Sequence, residues 1–324
     1  MAERGNMTQI VVLDGQTVNP GDNDWRPLAE LGELLVHGRT EPQLVKARSR
    51  GSAVVITNKV RLDREILSSL PGLKGVCVFA TGFDAVDVAA ARELGIPVCN
   101  VPEYSTASVV EHTFALLLAL ARRVELHSGL VAAGEWSASP DFSFWRTPQL
   151  ELAGLTLGVI GYGSIGRRVA AVGLALGMRV LATPSRRQPP DPGVVCLEID
   201  AIFERADVVT LHCPLKPETA GLVHAERLRR MKPTALLVNT ARGALVRESD
   251  LARALAEGWI AGAALDTLST EPPRPDHPLL SGPNLIVTPH LAWTTLASRK
   301  RLLTITAQNV RAILAGAPIH VVNP

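Results

Sequence analysis

Short apolar runs alternate with helix-spaced apolar positions along nearly the whole chain. In the first part, this pattern predicts strands over 9–13, 53–57, 75–79 and 96–99, and helices over 42–48, 63–70 and 85–94. Strands that alternate with helices in this way indicate βαβ units and parallel sheets. A longer helix is predicted over 106–123. It is apolar on nearly every side, so we expect it to be buried between two bodies.

A second series of predicted strands begins after Leu155. These strands are 156–160, 179–182, 194–197, 207–211, 235–238, 261–265 and 285–288. A helix over 249–257 should begin on Ser249 as its capping residue and stop at Gly258. The last helix, over 294–315, should return to pack on the first series. The sequence therefore predicts an α/β protein with two doubly wound parallel-sheet domains, 102–294 and a discontinuous domain formed by 1–101 and 295–324.

The segment 134–149 lies between the two series, and it is irregular and rich in aromatic residues. Its large side chains include Trp136, Phe142, Phe144 and Trp145. Three interpretations fit this composition: a loop packed on its own domain, a contact between the subunits of a dimer, or a direct contact with a substrate. The sequence leaves these alternatives open.

Length, charge and cysteine usage narrow the class of protein. The 324 residues are long for one hydrophobic core, and the net charge of +2 with scattered Lys and Arg gives no reason to expect a nucleic-acid partner. We see no secretory signal, and the apolar runs are far shorter than the roughly 20 residues of a membrane span. Cys77, Cys99, Cys196 and Cys213 form no CxxC pair, so we expect reduced thiols, no metal site and a cytoplasmic protein.

The most informative motif is the glycine turn Gly161-Tyr162-Gly163-Ser164-Ile165-Gly166, which follows the predicted strand 156–160 and opens a helix. In this context the pattern predicts a dinucleotide site of the Rossmann type. Gly161 permits the tight turn, Gly163 lets the pyrophosphate approach the backbone, and Gly166 lets helix and strand pack closely. The N–H groups of the first helical turn, at Ser164 and Ile165, should bind the phosphates.

The strand after this turn, 179–182, bears on which dinucleotide is expected. An acidic residue normally ends that strand and holds the ribose 2′-OH of NAD. Here Pro184-Ser185-Arg186-Arg187 follows instead, and no carboxylate appears before Asp191. Because Ser185, Arg186 and Arg187 can hydrogen-bond a 2′-phosphate, the sequence favours NADP(H) over NAD. If the two arginines are only solvated, either cofactor fits.

Polar residues follow the last strands of the second series, where open α/β sheets bind their ligands. His212-Cys213-Pro214 follows 207–211, Thr240-Ala241-Arg242 follows 235–238, Asp266 and Glu271 follow 261–265, and His290 follows 285–288. One arginine, one glutamate and one histidine are therefore expected at the sheet edge where the dinucleotide binds.

These three residue types suit the reduction of a 2-keto acid. When hydride reaches the carbonyl carbon, the oxygen needs a proton, and histidine can give one near neutral pH. A neighbouring carboxylate stabilises the imidazolium, and a guanidinium can hold the substrate carboxylate and carbonyl oxygen together. Each residue alone could be structural, but together Arg242, Glu271 and His290 are the candidate catalytic residues.

In these motifs the chain resembles the D-isomer-specific 2-hydroxyacid dehydrogenase family. The segments that carry the resemblance are 159–166, 238–243, 265–266 with 271–272, and 288–290. The resemblance implies that Arg242 binds the substrate, that His290 is the acid/base with Glu271 as its partner, and that Asp266 lies at the nicotinamide carboxamide. It also implies a cofactor groove lined by His212, Cys213, Pro214, Thr219 and Thr240, with His290 beside the cofactor.

Within the family, residues 57–59, 80–84, 136–142 and 289–293 are similar to the glycerate dehydrogenase (hydroxypyruvate reductase) subgroup. This similarity implies hydroxypyruvate or glyoxylate as the 2-keto acid and a homodimer as the assembly. It implies a flavodoxin-like substrate domain in which the N–H groups of Thr81 and Gly82 bind the substrate carboxylate. Lys59 is either a second contact or a solvated lysine, and Trp293 either walls the pocket or packs in the core.

Two other functions remain possible on the sequence alone. One is a non-catalytic, dinucleotide-sensing protein of the corepressor kind, which could keep all three candidate residues. The other is a 3-phosphoglycerate dehydrogenase, which would need cationic side chains for a phosphate near the loops of the first domain. Lys59 and Arg61 are the only obvious ones there.

Overall fold

A computed structural model describes residues 8–185 and 189–324 of the chain. The described residues form two compact units. Unit 1 contains the chain up to Ser105 together with Trp293–Pro324, and unit 2 is Thr106–Ala292. The domain limits expected from the sequence, 101/102 and 294/295, lie close to these breaks, and the assignment of a role to each domain stays a prediction.

Unit 1 is built on a five-stranded parallel sheet with the order β2-β1-β3-β4-β5. The strands are β1 (Gln9–Val12), β2 (Glu33–Val36), β3 (Val54–Thr57), β4 (Gly75–Val78) and β5 (Val98–Cys99). The helices are α1 (Arg26–Ala29), α2 (Val45–Ser49), α3 (Arg64–Ser68) and α4 (Val88–Glu93), and a 3-10 turn spans Pro42–Leu44. This strand order is that of a flavodoxin-like doubly wound sheet.

The C-terminal helix α11 (Leu296–Leu314) packs on this sheet. Its Leu302, Val310 and Ile313 are buried in one apolar cluster with residues of β1, β3 and β4. The same helix carries Arg299, a largely buried arginine whose guanidinium binds both carboxylate oxygens of Asp22 at 2.6 Å. The predicted return of the last helix to the first series of strands is therefore observed within unit 1.

Unit 2 has seven parallel strands in the order β12-β11-β10-β9-β6-β7-β8. They are β6 (Thr156–Ile160), β7 (Arg179–Ala182), β8 (Val194–Cys196), β9 (Val208–Leu211), β10 (Leu236–Asn239), β11 (Gly262–Leu265) and β12 (Leu285–Val287). The chain starts at β6, adds strands on one side, and then crosses to β9 on the other. This reversal of strand order is the Rossmann topology, and its switch point lies between β6 and β9. The predicted α/β fold class is confirmed.

The helices of unit 2 are α5 (Thr106–Arg122), α6 (Val124–Ala132), α7 (Ser164–Ala175), α8 (Ile199–Arg205), α9 (Ala225–Arg230) and α10 (Glu248–Ala256). Two 3-10 turns span Gly243–Leu245 and Pro278–Ser281. Two apolar clusters cover the faces of the sheet, one against α5 and α7 and the other against α8, α9 and α10. Both faces of the parallel sheet are therefore buried, as the continuous apolar strands require.

Two predictions about helices need correction, and the pattern missed α6. The helix from Thr106 is not buried all round, because Ala107, Ala115 and Leu118 lie on one exposed stripe. The chain then turns at Arg123, which has a positive φ of 48°, and continues as α6, which the pattern missed. Ser249 does not cap α10. That helix begins one residue earlier, and acidic side chains in its first turn complement the helix dipole instead.

Within residues 8–185 and 189–324, no cluster of three or more His, Cys, Asp or Glu side chains could hold a metal ion. In the same part of the chain, no helix is both long and apolar enough to cross a membrane. The four cysteines are free thiols, and Cys77 and Cys99 are buried on the neighbouring strands β4 and β5.

Candidate functional site

The glycine turn between β6 and α7 has the tight geometry that the sequence predicted. Gly161 has a φ of 100°, and its N–H donates to the hydroxyl of Thr183 at the end of β7. A Cβ at Gly161 would lie 2.4 Å from the backbone nitrogen of Cys213, and one at Gly166 would lie 2.1 Å from the carbonyl oxygen of Gly161. Only glycine fits at these two positions because both contacts are with backbone atoms that cannot move aside.

Gly163 differs from the other two glycines. It is the capping residue of α7, a helix of 12 residues, and a Cβ built on it would meet no atom within 4 Å. Its side-chain direction therefore opens on empty space, at the residue that caps the N-terminus of the helix. Such an arrangement suits the phosphates of a dinucleotide, which a helix N-terminus attracts through its free N–H groups and dipole.

His212 supplies a second observation that fits a dinucleotide. It follows β9, next to the glycine turn, and its Nε2 is buried without a hydrogen-bond partner. An unpaired buried polar atom costs free energy unless a ligand or water satisfies it. Burial also lowers the pKa of His212 to about 3, so the ring is neutral near neutral pH. The glycine turn and His212 together fit a bound dinucleotide.

The other predicted cofactor residues lie around the same end of the sheet. Ser164 and Ile165 form the first turn of α7, and Cys213 and Pro214 follow His212. The hydroxyl of Thr219 donates to the carbonyl oxygen of Pro214 at 2.8 Å, so it stabilises that loop. Thr240 is buried, and its hydroxyl lies 3.0 Å from that of Thr113 on α5. Ser185 is half-buried after β7, whereas Arg186 and Arg187 lie outside the described residues.

Arg242 lies in the turn after β10. The amide of Asn239 donates to the carbonyl oxygen of Arg242 at 2.9 Å and accepts from the N–H of Ala241, so one buried side chain closes the turn. The guanidinium of Arg242 also donates to the carbonyl oxygen of Ala241 through Nη1, at 2.8 Å. The turn therefore fixes both the backbone and one nitrogen of the candidate substrate-binding arginine.

Glu271 and His290 form a hydrogen-bonded pair. Glu271 Oε2 lies 2.8 Å from His290 Nδ1, and Glu271 Oε1 accepts the backbone N–H of Leu268 at 3.1 Å. The two side chains are 32% and 26% exposed. A small molecule can therefore reach the imidazole, and the nitrogen that does not face Glu271 is Nε2.

Asp266 holds the segment that carries His290. Its carboxylate is buried at the end of β11 and accepts the N–H groups of Leu291 and Ala292 at 2.7 and 2.9 Å. The N–H of His290 donates to the backbone carbonyl of Asp266, and His290 itself has a positive φ of 56°. A side chain in this left-handed conformation costs about 1–3 kcal/mol, which the surrounding contacts must offset.

Two further residues bind the same carboxylate, and sequence reasoning missed both. The hydroxyl of Thr288 donates to Asp266 Oδ1 at 2.6 Å, and His112 Nε2 on α5 lies 3.2 Å from the same oxygen. Burial raises the pKa of Asp266, but the bonds from His112, Thr288 and the two backbone amides outweigh it, so the pKa lies below its usual value. The one signal in the sequence was the polar pair Glu111-His112 inside an apolar helix. A contact of Asp266 with the nicotinamide stays a prediction.

The predicted substrate residues of unit 1 lie on loops after β3 and β4. Lys59 is exposed, and its N–H donates to Asp14 at 2.6 Å, as do the N–H groups of its two neighbours at 2.8 and 3.0 Å. The hydroxyl of Thr81 donates to the carbonyl oxygen of Val101, and Gly82 follows it in the same loop. Trp293 packs edge-on against Tyr104 with ring centroids 6.4 Å apart, which favours its core-packing interpretation.

Comparison with known proteins decides the family. The model of the D-isomer specific 2-hydroxyacid dehydrogenase NAD binding domain matches residues 114–292, which contain the whole arrangement from the glycine turn to the Glu271–His290 pair. A hydroxypyruvate reductase from Blautia hydrogenotrophica is 44% identical over 97% of this chain and 99% of its own length. The chain belongs to the D-isomer specific 2-hydroxyacid dehydrogenase family.

Other members of the family are similar over most of their length. A glycerate dehydrogenase from Methylorubrum extorquens is 42% identical over 87% of this chain and 88% of its own. The crystal structure of an NADPH-dependent glyoxylate/hydroxypyruvate reductase from Sinorhizobium meliloti, in complex with NADP and malonate, has a TM-score of 0.84 and 28% identity over 97% of this chain and 96% of its own. The protein is therefore an NAD(P)-dependent D-2-hydroxyacid dehydrogenase, which confirms the expected enzyme class.

The neutral state of the His212 imidazole, whose Nε2 is buried, predicts how the stability of this dehydrogenase depends on pH. The pKa of His212 falls from 6.5 to about 3 on folding, so the unfolded chain binds one more proton between these values. Its contribution to the free energy of unfolding is then present above about pH 6.5 and declines by up to about 1.4 kcal/mol per pH unit on acidification. We expect His212→Gln to remove this part of the slope.

Urea unfolding of the ligand-free protein at pH 7, 6, 5 and 4 measures the slope. The relevant quantity is the difference between wild type and His212→Gln, because other groups titrate equally in both. Equal slopes for the two proteins would contradict the neutral assignment of His212.

Proposed function

We propose that this dehydrogenase reduces hydroxypyruvate or glyoxylate and prefers NADPH as the hydride donor. The observation that carries the proposal is the Glu271–His290 pair, whose Oε2 and Nδ1 atoms are 2.8 Å apart and whose side chains are partly exposed. A carboxylate on Nδ1 fixes the orientation of the ring and directs Nε2 to the ligand. This is the arrangement that an acid/base histidine needs.

The chain's own residues then act on the proton and on the substrate carboxylate. His290 gives its Nε2 proton to the carbonyl oxygen of the 2-keto acid, and Glu271 stabilises the imidazolium before that transfer. The dinucleotide, when bound, supplies the hydride to the carbonyl carbon, so that one keto acid, one hydride and one proton give one hydroxy acid. Arg242 binds the substrate carboxylate because a guanidinium fork matches its two oxygens. Lys59, Thr81 and Gly82 are the proposed substrate residues of unit 1.

The choice of a small 2-keto acid rests on the relatives. The Blautia and Methylorubrum proteins are named for hydroxypyruvate and glycerate, and a relative from Thermofilum pendens that is 36% identical over 90% of this chain is a glyoxylate reductase. D-3-phosphoglycerate dehydrogenases also match, but this chain spans only 53% and 55% of the length of two of them. A putative D-3-phosphoglycerate dehydrogenase from Ralstonia solanacearum does match over 97% of its length, but at 32% identity. The higher identities to the hydroxypyruvate reductase and the glycerate dehydrogenase, 44% and 42%, therefore favour the unphosphorylated substrates.

The preference for NADPH is supported by the state of Asp191. This residue is the first carboxylate after β7, and Tyr162 and Arg167 bind its two oxygens at 2.7 and 2.5 Å. The bond from Tyr162, helped by Arg167, holds the pKa of Asp191 below its usual value. The carboxylate is thus charged but already paired with the glycine turn and α7. Because its charge is already paired with Arg167, we expect Asp191 to repel a 2′-phosphate little, and Ser185 follows β7 in place of the usual acid.

A screen of 2-keto acids against both reduced cofactors tests the proposal. Glyoxylate, hydroxypyruvate, pyruvate and 3-phosphohydroxypyruvate are each followed by the loss of absorbance of NADPH and of NADH. We expect kcat/KM to be highest for hydroxypyruvate or glyoxylate, and at least about tenfold higher with NADPH than with NADH.

Three results would count against parts of this proposal. Turnover of none of the four acids would contradict an enzyme of small 2-keto acids. A preference for the phosphorylated acid would replace the substrate class, and a strong preference for NADH would overturn the cofactor preference while leaving the reaction intact.

We also propose a homodimer that covers the exposed apolar residues of α6 and of the segment 134–149. Phe142 is 93% exposed, Trp145 67%, Val124 65% and Trp136 50%. Large apolar side chains that are close in sequence and this exposed are typical of interaction surfaces, and aromatic residues are enriched at protein interfaces. This proposal favours the dimer-contact interpretation of the aromatic segment.

Sedimentation equilibrium measures the assembly. We expect the wild type to be a dimer and Trp145→Asp to shift it towards monomer at micromolar concentration, because a buried unpaired carboxylate weakens an apolar interface. The control is Leu176→Asp, a change at an exposed leucine at the end of α7. A monomeric wild type, or equal effects of the two changes, would argue against this interface.

A cytoplasmic location is proposed on the state of the thiols. Burial raises the pKa of Cys99 to about 11 and also raises that of Cys77, so both are inert as nucleophiles in their folded setting. Free, unpaired cysteines are usual in reducing compartments. Recovery of the protein in an extracytoplasmic fraction of its host would contradict this location.

A further inference from the structure

A second histidine–carboxylate pair lies in unit 2, apart from the Glu271–His290 pair. Glu248, in the first turn of α10, accepts the N–H and the hydroxyl of Ser269, both at 2.6 Å. Its Oε2 also lies 3.1 Å from Nε2 of His277. The side chains of Glu248 and His277 are only 13% and 14% exposed. We call Glu248, Ser269 and His277 the Glu248 clamp.

The hydrogen bonds of His277 settle which of its nitrogens carries the proton. Nδ1 accepts the backbone N–H of Leu279, and so caps the 3-10 turn Pro278–Ser281. The proton of a neutral ring is therefore on Nε2, which donates to Glu248. One carboxylate thus ties together both ends of the loop 269–277, which connects the region after β11 to this turn.

Glu271 lies inside that loop. Its Oε1 accepts the N–H of Leu268, directly before the clamped Ser269, while its Oε2 reaches His290. Glu271 is 32% exposed, so close packing alone does not fix its position. The position of the carboxylate that pairs with His290 thus depends on where the backbone of Leu268 and Ser269 is held.

The same backbone segment supports the turn of Arg242. A Cβ built on the next residue, Gly243, would lie 1.9 Å from the carbonyl carbon of Leu268 and 2.3 Å from the nitrogen of Ser269. The two backbones are therefore in direct contact. A displacement of Leu268 and Ser269 must move Glu271, and it also removes the support of the Arg242 turn.

We infer that Glu248 is a positioning residue for the hydride-transfer reaction, acting through Ser269 on both Glu271 and Arg242. This inference rests on the proposed roles of those two residues and of His290. Glu248 touches neither of the candidate catalytic side chains directly. Errors of about 1 Å in the placement of a catalytic group can reduce turnover about 100-fold. A small displacement of Ser269 after loss of the Glu248 carboxylate is therefore enough to lower kcat.

The test compares Glu248→Ala, Glu248→Gln and the control Glu257→Gln. Glu257 follows the last turn of the same helix and forms an exposed pair with Arg253. For each protein, kcat and KM are measured with hydroxypyruvate or glyoxylate, the Kd of NADPH is measured by fluorescence without substrate, and the melting temperature is recorded. Hydrogen exchange of the ligand-free proteins is followed in peptides that cover 268–271 and the Arg242 turn, 239–243.

We expect Glu248→Ala to lower kcat about 10- to 100-fold with the Kd of NADPH close to that of the wild type, and to lower the melting temperature by only a few degrees because the Ser269 and His277 donors lose their acceptor. Glu248→Gln keeps an acceptor for the N–H of Ser269, so it should recover most of this loss, and Glu257→Gln should behave as the wild type. Exchange should rise together in both peptides of Glu248→Ala.

The inference is overturned if Glu248→Ala keeps wild-type kcat. It is also overturned if the loss of kcat follows a matching loss of NADPH affinity and melting temperature, because Glu248 would then only stabilise the fold. A wild type that reduces no 2-keto acid contradicts the proposed function instead. In that case hydrogen exchange tests the clamp by itself, since a rise confined to 268–271 would show that the clamp does not support the Arg242 turn.

Discussion

The buried carboxylate of Asp266 is the constraint on which the candidate site depends. Two backbone N–H groups, the hydroxyl of Thr288 and Nε2 of His112 converge on it, all within 3.2 Å. These bonds hold the chain after β12 against the end of β11. They also keep His290 in a left-handed conformation, which is unfavourable for a residue with a side chain. A charged group buried in this way is stable only because its partners offset the loss of water.

Two carboxylates after β11 thus have opposite environments and different tasks. Asp266 is fully buried and bound to the protein itself, so it sets backbone geometry. Glu271 is partly exposed and bonded to His290, so it lies where a molecule from solvent can reach the pair. The division is a consequence of the parallel sheet, because strands β10, β11 and β12 end at one edge and their loops must share that space. Glu248 adds a third carboxylate to this arrangement, because it binds the N–H of Ser269 in the loop that contains Glu271.

The sequence predicted the strands that are apolar runs, including the edge strands Val194–Cys196 and Leu285–Val287, but it missed the edge strand of the first sheet and several short helices. Strands such as Thr156–Ile160 and Arg179–Ala182 were predicted within a residue because a parallel sheet covered on both sides requires a continuous apolar run. The edge strand Glu33–Val36 is largely exposed, so no alternation marked it. Helix Ala225–Arg230 is short, and its existence depends on tertiary contacts rather than on its own pattern.

In the candidate site too, features formed by residues close in the sequence were predicted, and contacts between distant residues were not. The glycine turn was visible because its three glycines act within six residues, and Arg242, Glu271 and His290 were visible because each follows a strand. The contacts of Asp266 with His112 and of Glu248 with His277 join residues far apart in the chain. The pair Glu111-His112 inside an apolar helix marked one of these residues as unusual, but no local pattern in a single sequence indicates which distant residue each one contacts.

The central claim is that His290, held by Asp266 and paired with Glu271, provides the proton while the glycine turn binds the dinucleotide independently. Replacement of His290 by Gln tests this claim most directly, with His224→Gln at the start of α9 as the control. The account predicts that His290→Gln lowers kcat about 100- to 10,000-fold with the keto acid found to be the best substrate, while the Kd of NADPH stays within about twofold of the wild type. A kcat within tenfold of the wild type, or a parallel loss of NADPH binding, would contradict it.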